Sequence, residues 1–296
     1  MKEVKDAVID MMDKVKRVDK GNSHHYERVD TGKWLAGVTT VTGLLPKDWA
    51  MGYGAKEAVK ALGYFDKFKD DDHIEDWNNL IVKMNKISYP VDEKTGKLIE
   101  VDKMPQHYFE LLHEAKGAFR RKSKDATDIG QEGHDKLEEF VKAKIRKQPL
   151  PILPEICQPF LKWSENVDEF ILSEARVCNL EEDYAGTLDV LALMKSGNLA
   201  VIDFKFANNI SKGWDLQLAA YAKCFSGYGI EVKERHVLRF PKEEFLKVWN
   251  KKEWCYAKKK NEFDALPYPE DMSFDYETFC HLRQAYKWIN FKKANK

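Results

Sequence analysis

Gly186-Thr187-Leu188-Asp189-Val190-Leu191-Ala192-Leu193-Met194 and Leu199-Ala200-Val201-Ile202-Asp203-Phe204-Lys205 are two apolar runs separated by Lys195-Ser196-Gly197-Asn198. The pattern predicts a strand, a tight turn and a second strand. Gln217-Leu218-Ala219-Ala220-Tyr221 follows a short polar loop and predicts a helix. Side chains alternate along a strand, so Asp203 and Lys205 share a face with Val201, while Ala200, Ile202, Phe204 and Phe206 take the other. Both faces are apolar apart from the two charges, which predicts a strand buried on both sides. A three-residue loop Lys195-Ser196-Gly197, with glycine at its left-handed third position, pairs Met194 with Asn198 and sets Asp189 opposite Asp203. A two-residue Ser196-Gly197 loop would send the two aspartates to opposite faces. The three-residue register is preferred.

Carboxylates that face each other across a sheet repel. Either one takes up a proton or a cation sits between them. Carboxylate and carbonyl oxygens are hard ligands suited to magnesium or manganese. A lysine on the same face can position and activate a metal-bound water, and phosphodiester hydrolysis needs such a nucleophile together with charge to stabilise the developing oxyanion. The alternative is a buried hairpin whose charges form a structural ion pair, which leaves three charges on apolar strands at a high cost.

Gly186-x-x-Asp189, then Asp203-x-Lys205, then Gln217-x-x-x-Tyr221 together resemble the PD-(D/E)XK nuclease superfamily, and within it the RecB-type exonuclease branch. The resemblance implies an α/β fold with a restriction-endonuclease-like central mixed β-sheet flanked by helices. It implies Asp189, Asp203 and Lys205 as catalytic residues and a Mg2+ or Mn2+ ion held by Asp189, Asp203 and the Phe204 backbone carbonyl. Gln217 and Tyr221 would reach the substrate or order the lysine. Lys212 and Trp214 would add contacts to a DNA strand, unless Trp214 only anchors the helix. Some RecB-type nucleases carry a four-cysteine iron–sulfur cluster. Here Cys157, Cys178, Cys224, Cys255 and Cys280 lie far apart with no Cys-x-x-Cys pair, so neither that cluster nor a zinc site is expected.

Upstream, residues 104–147 are strongly helical, too long a run for one ordinary globular helix without a break. Gly130-x-x-x-His134-x-x-x-Glu138 places three residues on one face, and Gly130 permits a close approach. In the resembled family a Gly-x-x-x-His helix brings a histidine beside the metal. That implies His134 as a metal ligand or substrate-phosphate contact. Glu138 is a weaker candidate or a surface charge. Glu174, in a strand expected over Leu172–Val177, either adds an acid near Asp189 or pairs with Arg176 or Lys205. Lys116, Arg120, Arg121, Lys122 and Lys124, then Lys142, Lys144, Arg146 and Lys147, form basic flanks. Such flanks mark a nucleic-acid track or an exposed face made soluble by lysine.

Pro149-Leu150-Pro151-Ile152-Leu153-Pro154 reads as a stiff connector, with a helix expected over Pro154–Phe170. Residues 2–17 have helical periodicity. Tyr26–Val29 and Trp34–Val38 flank the turn Asp30-Thr31-Gly32-Lys33, a hairpin. The Val38-Thr39-Thr40 opening ahead of Pro46 and Trp49 is similar to that of phage-type and mitochondrial genome-maintenance exonucleases. Trp34, Trp49 and Tyr53 either stack on unpaired bases or sit in the core. Residues 66–76 are acidic, and 66–103 reads as an insertion. Arg235–Phe240 reads as a strand and Phe274–Lys293 as a terminal helix. The domain expectation is an N-terminal accessory region over 1–103 and a nuclease core over 104–296.

The 296 residues are 43% hydrophobic, with 49 basic and 49 acidic residues, so net charge gives no hint of a nucleic-acid partner. The absence of a Gly-x-x-x-x-Gly-Lys-Ser/Thr motif excludes an ATP-driven motor of that class. The N-terminus has no apolar run of membrane-spanning length, which predicts a soluble protein in the cytoplasm of a bacterial or phage-infected cell. The expected function is a metal-dependent exodeoxyribonuclease acting on single-stranded or frayed DNA ends in phage DNA metabolism, recombination or repair. The alternatives are a nuclease-fold DNA-binding scaffold, an endonuclease or an RNA-directed enzyme.

Overall fold

The computed structural model describes residues 2–20, 23–45, 94–95, 106–241, 244–249, 254–259 and 262–294. Trp49, Tyr53, the acidic run 66–76 and nearly all of the expected insertion fall outside the described residues. The chain divides into two compact units, one of Met1–Leu45 with Ile129–Lys296 and one of Pro46–Asp128.

In the first unit, α1 (Lys2–Lys14) buries Val4, Ala7, Val8 and Met11, its periodic apolar positions. The chain then turns into strands rather than continuing helical to residue 17: β1 (Val15–Lys20), β2 (Ser23–Arg28) and β3 (Trp34–Gly37), followed by the short α2 (Val38–Thr42). The hairpin expected around Asp30–Lys33 forms, with Tyr26 opposite Leu35.

The long helical run is one unbroken helix, α3 (Gln106–Arg146), where a break was expected. Its end is a left-handed cap on a residue other than glycine. Lys147 has φ 54°, the Gln148 N–H donates to the Ala143 carbonyl, and Pro149 follows. This pattern satisfies the last carbonyls of the helix, and proline prevents its continuation. The helix expected over 154–170 is shorter, ending in α4 (Pro159–Trp163) and a single 3-10 turn. From Val167 the chain is strand, because the apolar residues Val167, Phe170 and Ile171 bury against the sheet.

The central strands are β4 (Val167–Asn179), β5 (Tyr184–Met194) and β6 (Leu199–Lys205). Then come α5 (Trp214–Cys224), β7 (Glu234–Arg239), the separate hairpin β8 (Glu244–Trp249) and β9 (Trp254–Lys259), β10 (Asp264–Tyr268) and α6 (Ser273–Ala294). The main sheet has eight strands in the order β1-β2-β3-β5-β6-β7-β10, with β4 paired to β5. It is mixed: β3–β5 and β6–β7 are parallel and the other pairs antiparallel. Apolar clusters pack on both faces of β6. Val201 joins Leu191, Leu218 and Ala220 on one side, and Ala200, Ile202 and Phe204 join Leu137, Phe140 and Phe160 on the other. Helices thus flank the sheet, and the class is α/β.

Residues 1–45 are not a separate accessory region. They add three strands to the sheet, and α1 and α2 bury their apolar faces in the same core as α5. Among the described residues, no helix is long and apolar enough to cross a membrane.

Candidate functional site

The hairpin between β5 and β6 adopts the three-residue register. Met194 N–H donates to the Asn198 carbonyl at 2.9 Å, and Gly197 has φ +87°, the left-handed conformation that glycine adopts without strain. Leu193 to Val190 pair with Leu199 to Ile202, so the next rung sets Asp189 opposite Asp203.

The two edges of β5 explain why this rung is special. β4 occupies one edge along nearly the whole strand. The other edge is shared: β3 pairs with Tyr184 and Ala185, and β6 pairs with Val190 to Leu193. Gly186 to Asp189 span the gap between those two partners. There the Asp189 carboxylate replaces a ladder carbonyl, accepting the Phe204 N–H on Oδ2 at 2.7 Å.

On the β4 side, Ser173 faces Val190 and Ala175 faces Leu188, which leaves Glu174 facing Asp189. Three adjacent strands therefore carry Glu174, Asp189 and Asp203 at one level. Like charges so placed are destabilising without a cation among them. Two cations are supplied from nearby. His134, on α3, puts Nε2 3.2 Å from Asp189 Oδ2 and 3.6 Å from Glu174 Oε1. Lys205 puts Nζ 2.6 Å from Asp203 Oδ2.

These contacts set the proton affinities. Burial opposes charge on His134, but the hydrogen bond and charge of Asp189, backed by Glu174 and Asp203, raise it to about 9. Burial and the Asp189 charge push Glu174 up to about 7. Burial pushes Asp203 up to about 6, with Lys205 opposing and Asp189 adding to the rise. Asp189 goes the other way. Burial would raise it, yet His134, Lys205 and the Phe204 N–H hold it below the usual carboxylate range. Lys205 is buried, which disfavours its charge, and Asp203 and Asp189 more than compensate.

Behind the acids lies a buried support. Gln217 Nε2 donates to Asp203 Oδ1 at 2.9 Å and lies 3.4 Å from the Tyr221 hydroxyl. Gly186 accounts for its place in the motif, because a Cβ there would come within 2.5 Å of the Tyr221 ring. Of the two roles expected of Gln217 and Tyr221, reaching the substrate or ordering the lysine, their 6% and 2% exposure favours the second: Gln217 donates to Asp203, the partner of Lys205, and the Tyr221 hydroxyl lies against Gln217. Trp214 is likewise buried, packed in the cluster with Leu216 and Leu218 as the anchor of α5. Lys212, just before that helix, is exposed.

Of the residues on α3, Glu138 forms an ion pair with Lys142, which neutralises one of the expected basic flank. A close approach onto this helix occurs at Gly133, where a Cβ would meet the Phe206 ring at 2.3 Å. Phe206 is held in turn by stacking on Phe240, with ring centroids 4.9 Å apart. Glu174 pairs with neither Arg176 nor Lys205, since Arg176 donates to the Met12 carbonyl and Lys205 pairs with Asp203. The side chains of Arg120, Arg121, Lys122 and Lys124 lie outside the described residues. Cys157, Cys178 and Cys224 are buried free thiols, and Cys280 is partly buried.

One part of the site left no sequence signal. The Tyr26 hydroxyl lies 3.0 Å from Thr187 Oγ1, inside the Gly186-to-Asp189 gap. Arg17, paired to Asp19, also feels the charge of Glu174. Nothing in the local text of β1 and β2 marks these residues, because their relation to β5 comes only through β3.

His134, Glu174 and Asp189 each offer one donor atom, all within 4.8 Å of one another. One imidazole nitrogen and two carboxylates fit a divalent cation of the manganese or magnesium type. His134, Asp135 and Glu138 form a second such group, more exposed. No family model matches the chain, and no curated protein matches it.

Proposed function

We propose that this chain is a metal-dependent deoxyribonuclease, an exonuclease that hydrolyses phosphodiester bonds from single-stranded or frayed DNA ends. The observation that carries the reading is the level at which β5 and β6 hold Asp189 and Asp203, with Lys205 on one acid and His134 on the other. The antiparallel β5–β6 pair, the parallel β6–β7 pair and the helices on both faces are also what a restriction-endonuclease-like core requires, and we read the sheet that way.

His134, Asp189 and Asp203, with the Phe204 carbonyl, would hold Mg2+ or Mn2+. The ion supplies a nucleophilic water at neutral pH and charge to offset that of the phosphate. The protein's own groups divide the remaining work. Gln217 fixes one oxygen of Asp203, so its other oxygen has one direction to face. Lys205 is held charged between two acids and is placed to stabilise negative charge that grows on a phosphate. The Phe204 N–H fixes Asp189. The preference for DNA ends rests on the resemblance of the His134 helix to that of exonucleases.

The test uses end-labelled linear single-stranded DNA, frayed duplex, linear RNA and a closed circular single strand, each with Mg2+, Mn2+ or chelator. Metal-dependent shortening of the linear DNA with the circle intact is expected. A circle cut as fast as the linear strand overturns the end-dependence. Preference for RNA overturns the substrate, and no cleavage of any substrate overturns the reading as a whole.

A further inference from the structure

Glu174 has the least expected backbone at this site. It lies inside a long strand, yet its φ is +53°, in the left-handed region that glycine favours and that glutamate rarely enters. The ladder keeps one register from Leu172 and Ser173 through Ala175 to Asn179 on either side of it, downstream of two register shifts between Val167 and Leu172, so the left-handed residue is a local departure that does not itself shift the pairing. Its carboxylate is three-quarters buried, facing Asp189 across the strand pair, with His134 Nε2 at 3.6 Å. Arg17 and Lys142 interact with its charge only from beyond ion-pair distance. At the same level, Asp203 Oδ2 is buried with no aligned hydrogen-bond donor, and its contact is the Lys205 ammonium.

A sequence chosen for stability alone would place glycine at a left-handed position and an apolar residue opposite a buried aspartate. This chain has glutamate, which incurs both the backbone strain and the repulsion. We propose, resting on the metal-dependent reading above, that Glu174 is a further protein ligand of the divalent cation, added to His134, Asp189, Asp203 and the Phe204 carbonyl. Its left-handed backbone is the device that fixes the carboxylate in place. The row of carboxylates then has its compensating charge in the ion rather than in a protein side chain. An imidazole among the carboxylates on one cation favours manganese over magnesium, because imidazole suits the softer ion.

The experiment is calorimetric titration of Mn2+ and Mg2+ into the wild type, Glu174→Gln and Glu174→Gly, with thermal melts of each in chelator. Both variants should lose at least roughly tenfold in affinity for Mn2+ and for Mg2+, because a carboxylate oxygen is a ligand to either ion. Metal-free Glu174→Gly should melt above the wild type, because glycine adopts the backbone freely and one repelling charge is gone. Wild-type Mn2+ affinity in both variants, or a lower melting point for metal-free Glu174→Gly, would overturn the assignment. The second result would make the residue a structural partner of His134. If the wild type itself fails to bind either ion, the metal-dependent reading falls with it, whereas tight wild-type binding with unchanged variants sinks the Glu174 assignment alone.

Discussion

At the scale of single residues, the site is a set of charges that do not balance without help. Three of them hold protons more tightly than they would in an unfolded chain: Asp203 at about 6 against 3.8, Glu174 at about 7 against 4.5, and His134 at about 9 against 6.5. For each, the folded chain keeps a proton that the unfolded chain releases, so the associated stability is present at low pH and is lost as pH rises through the raised value. Asp189, shifted down, works in the opposite sense, and its contribution is lost only in acid. The metal-free protein should therefore lose melting temperature steadily between about pH 5 and about pH 9. Saturating Mn2+ should flatten that fall, because ligands must give up their protons to the ion. Melts in chelator and in metal across this range check it, with His134→Ala as the variant whose metal-free fall is shallower above neutral pH. A metal-free profile that is flat or rises with pH would contradict the arrangement of charges described above. The place of Glu174 in a strand beside Asp189 was legible in the sequence, whereas its left-handed backbone was not, since a left-handed glutamate inside a strand has no local signature.

At the scale of elements, the site depends on close contacts between helices and strands at two glycines. Gly186 admits the Tyr221 ring of α5 to the back of β5, and Gly133 admits Phe206 of the post-β6 segment to α3, which carries His134. Alanine is ordinarily an improvement on glycine within a strand or helix. At Gly186 the added Cβ would instead displace a fully buried tyrosine, and the loss should be about 1–3 kcal/mol in a urea denaturation. Gln217 would move with that helix and release Asp203, so cleavage should slow by roughly 100-fold as well. Gly227→Ala, with open space at its Cβ and no positive φ, is the control and should change neither. Wild-type stability and rate in Gly186→Ala would mean that α5 does not hold the acids. The hairpin register was legible because Gly197 and the apolar alternation leave one good solution. The parallel pairing of β3 with β5 was not, since it rests on two rungs between residues about 150 apart in the chain. That hidden pairing is what draws residues 1–45 into the sheet.

At the scale of the whole molecule, one sheet with apolar clusters on both faces carries a polar level across β4, β5 and β6, at the point where one edge of β5 passes from β3 to β6 while β4 stays on the other. A structural ion pair would need only Asp203 and Lys205. Glu174 and His134 lie outside that pair, Asp189 besides accepting the Phe204 N–H brings a further charge, and on the proposed reading a cation and a phosphate would balance them. With 49 acidic and 49 basic residues, net charge would not attract a nucleic acid, and on the proposed reading local groups such as Lys212 and an ion at the site would do so. The measurement that bears most directly on this is the cleavage rate of end-labelled linear single-stranded DNA by the wild type and by Asp203→Asn, in Mn2+ and in chelator, with circular dichroism to confirm that both are folded. The expected result is cleavage by the wild type in metal only, with a loss of at least roughly 100-fold in folded Asp203→Asn. Cleavage that persists in chelator, or a folded Asp203→Asn that cuts at the wild-type rate, would contradict it.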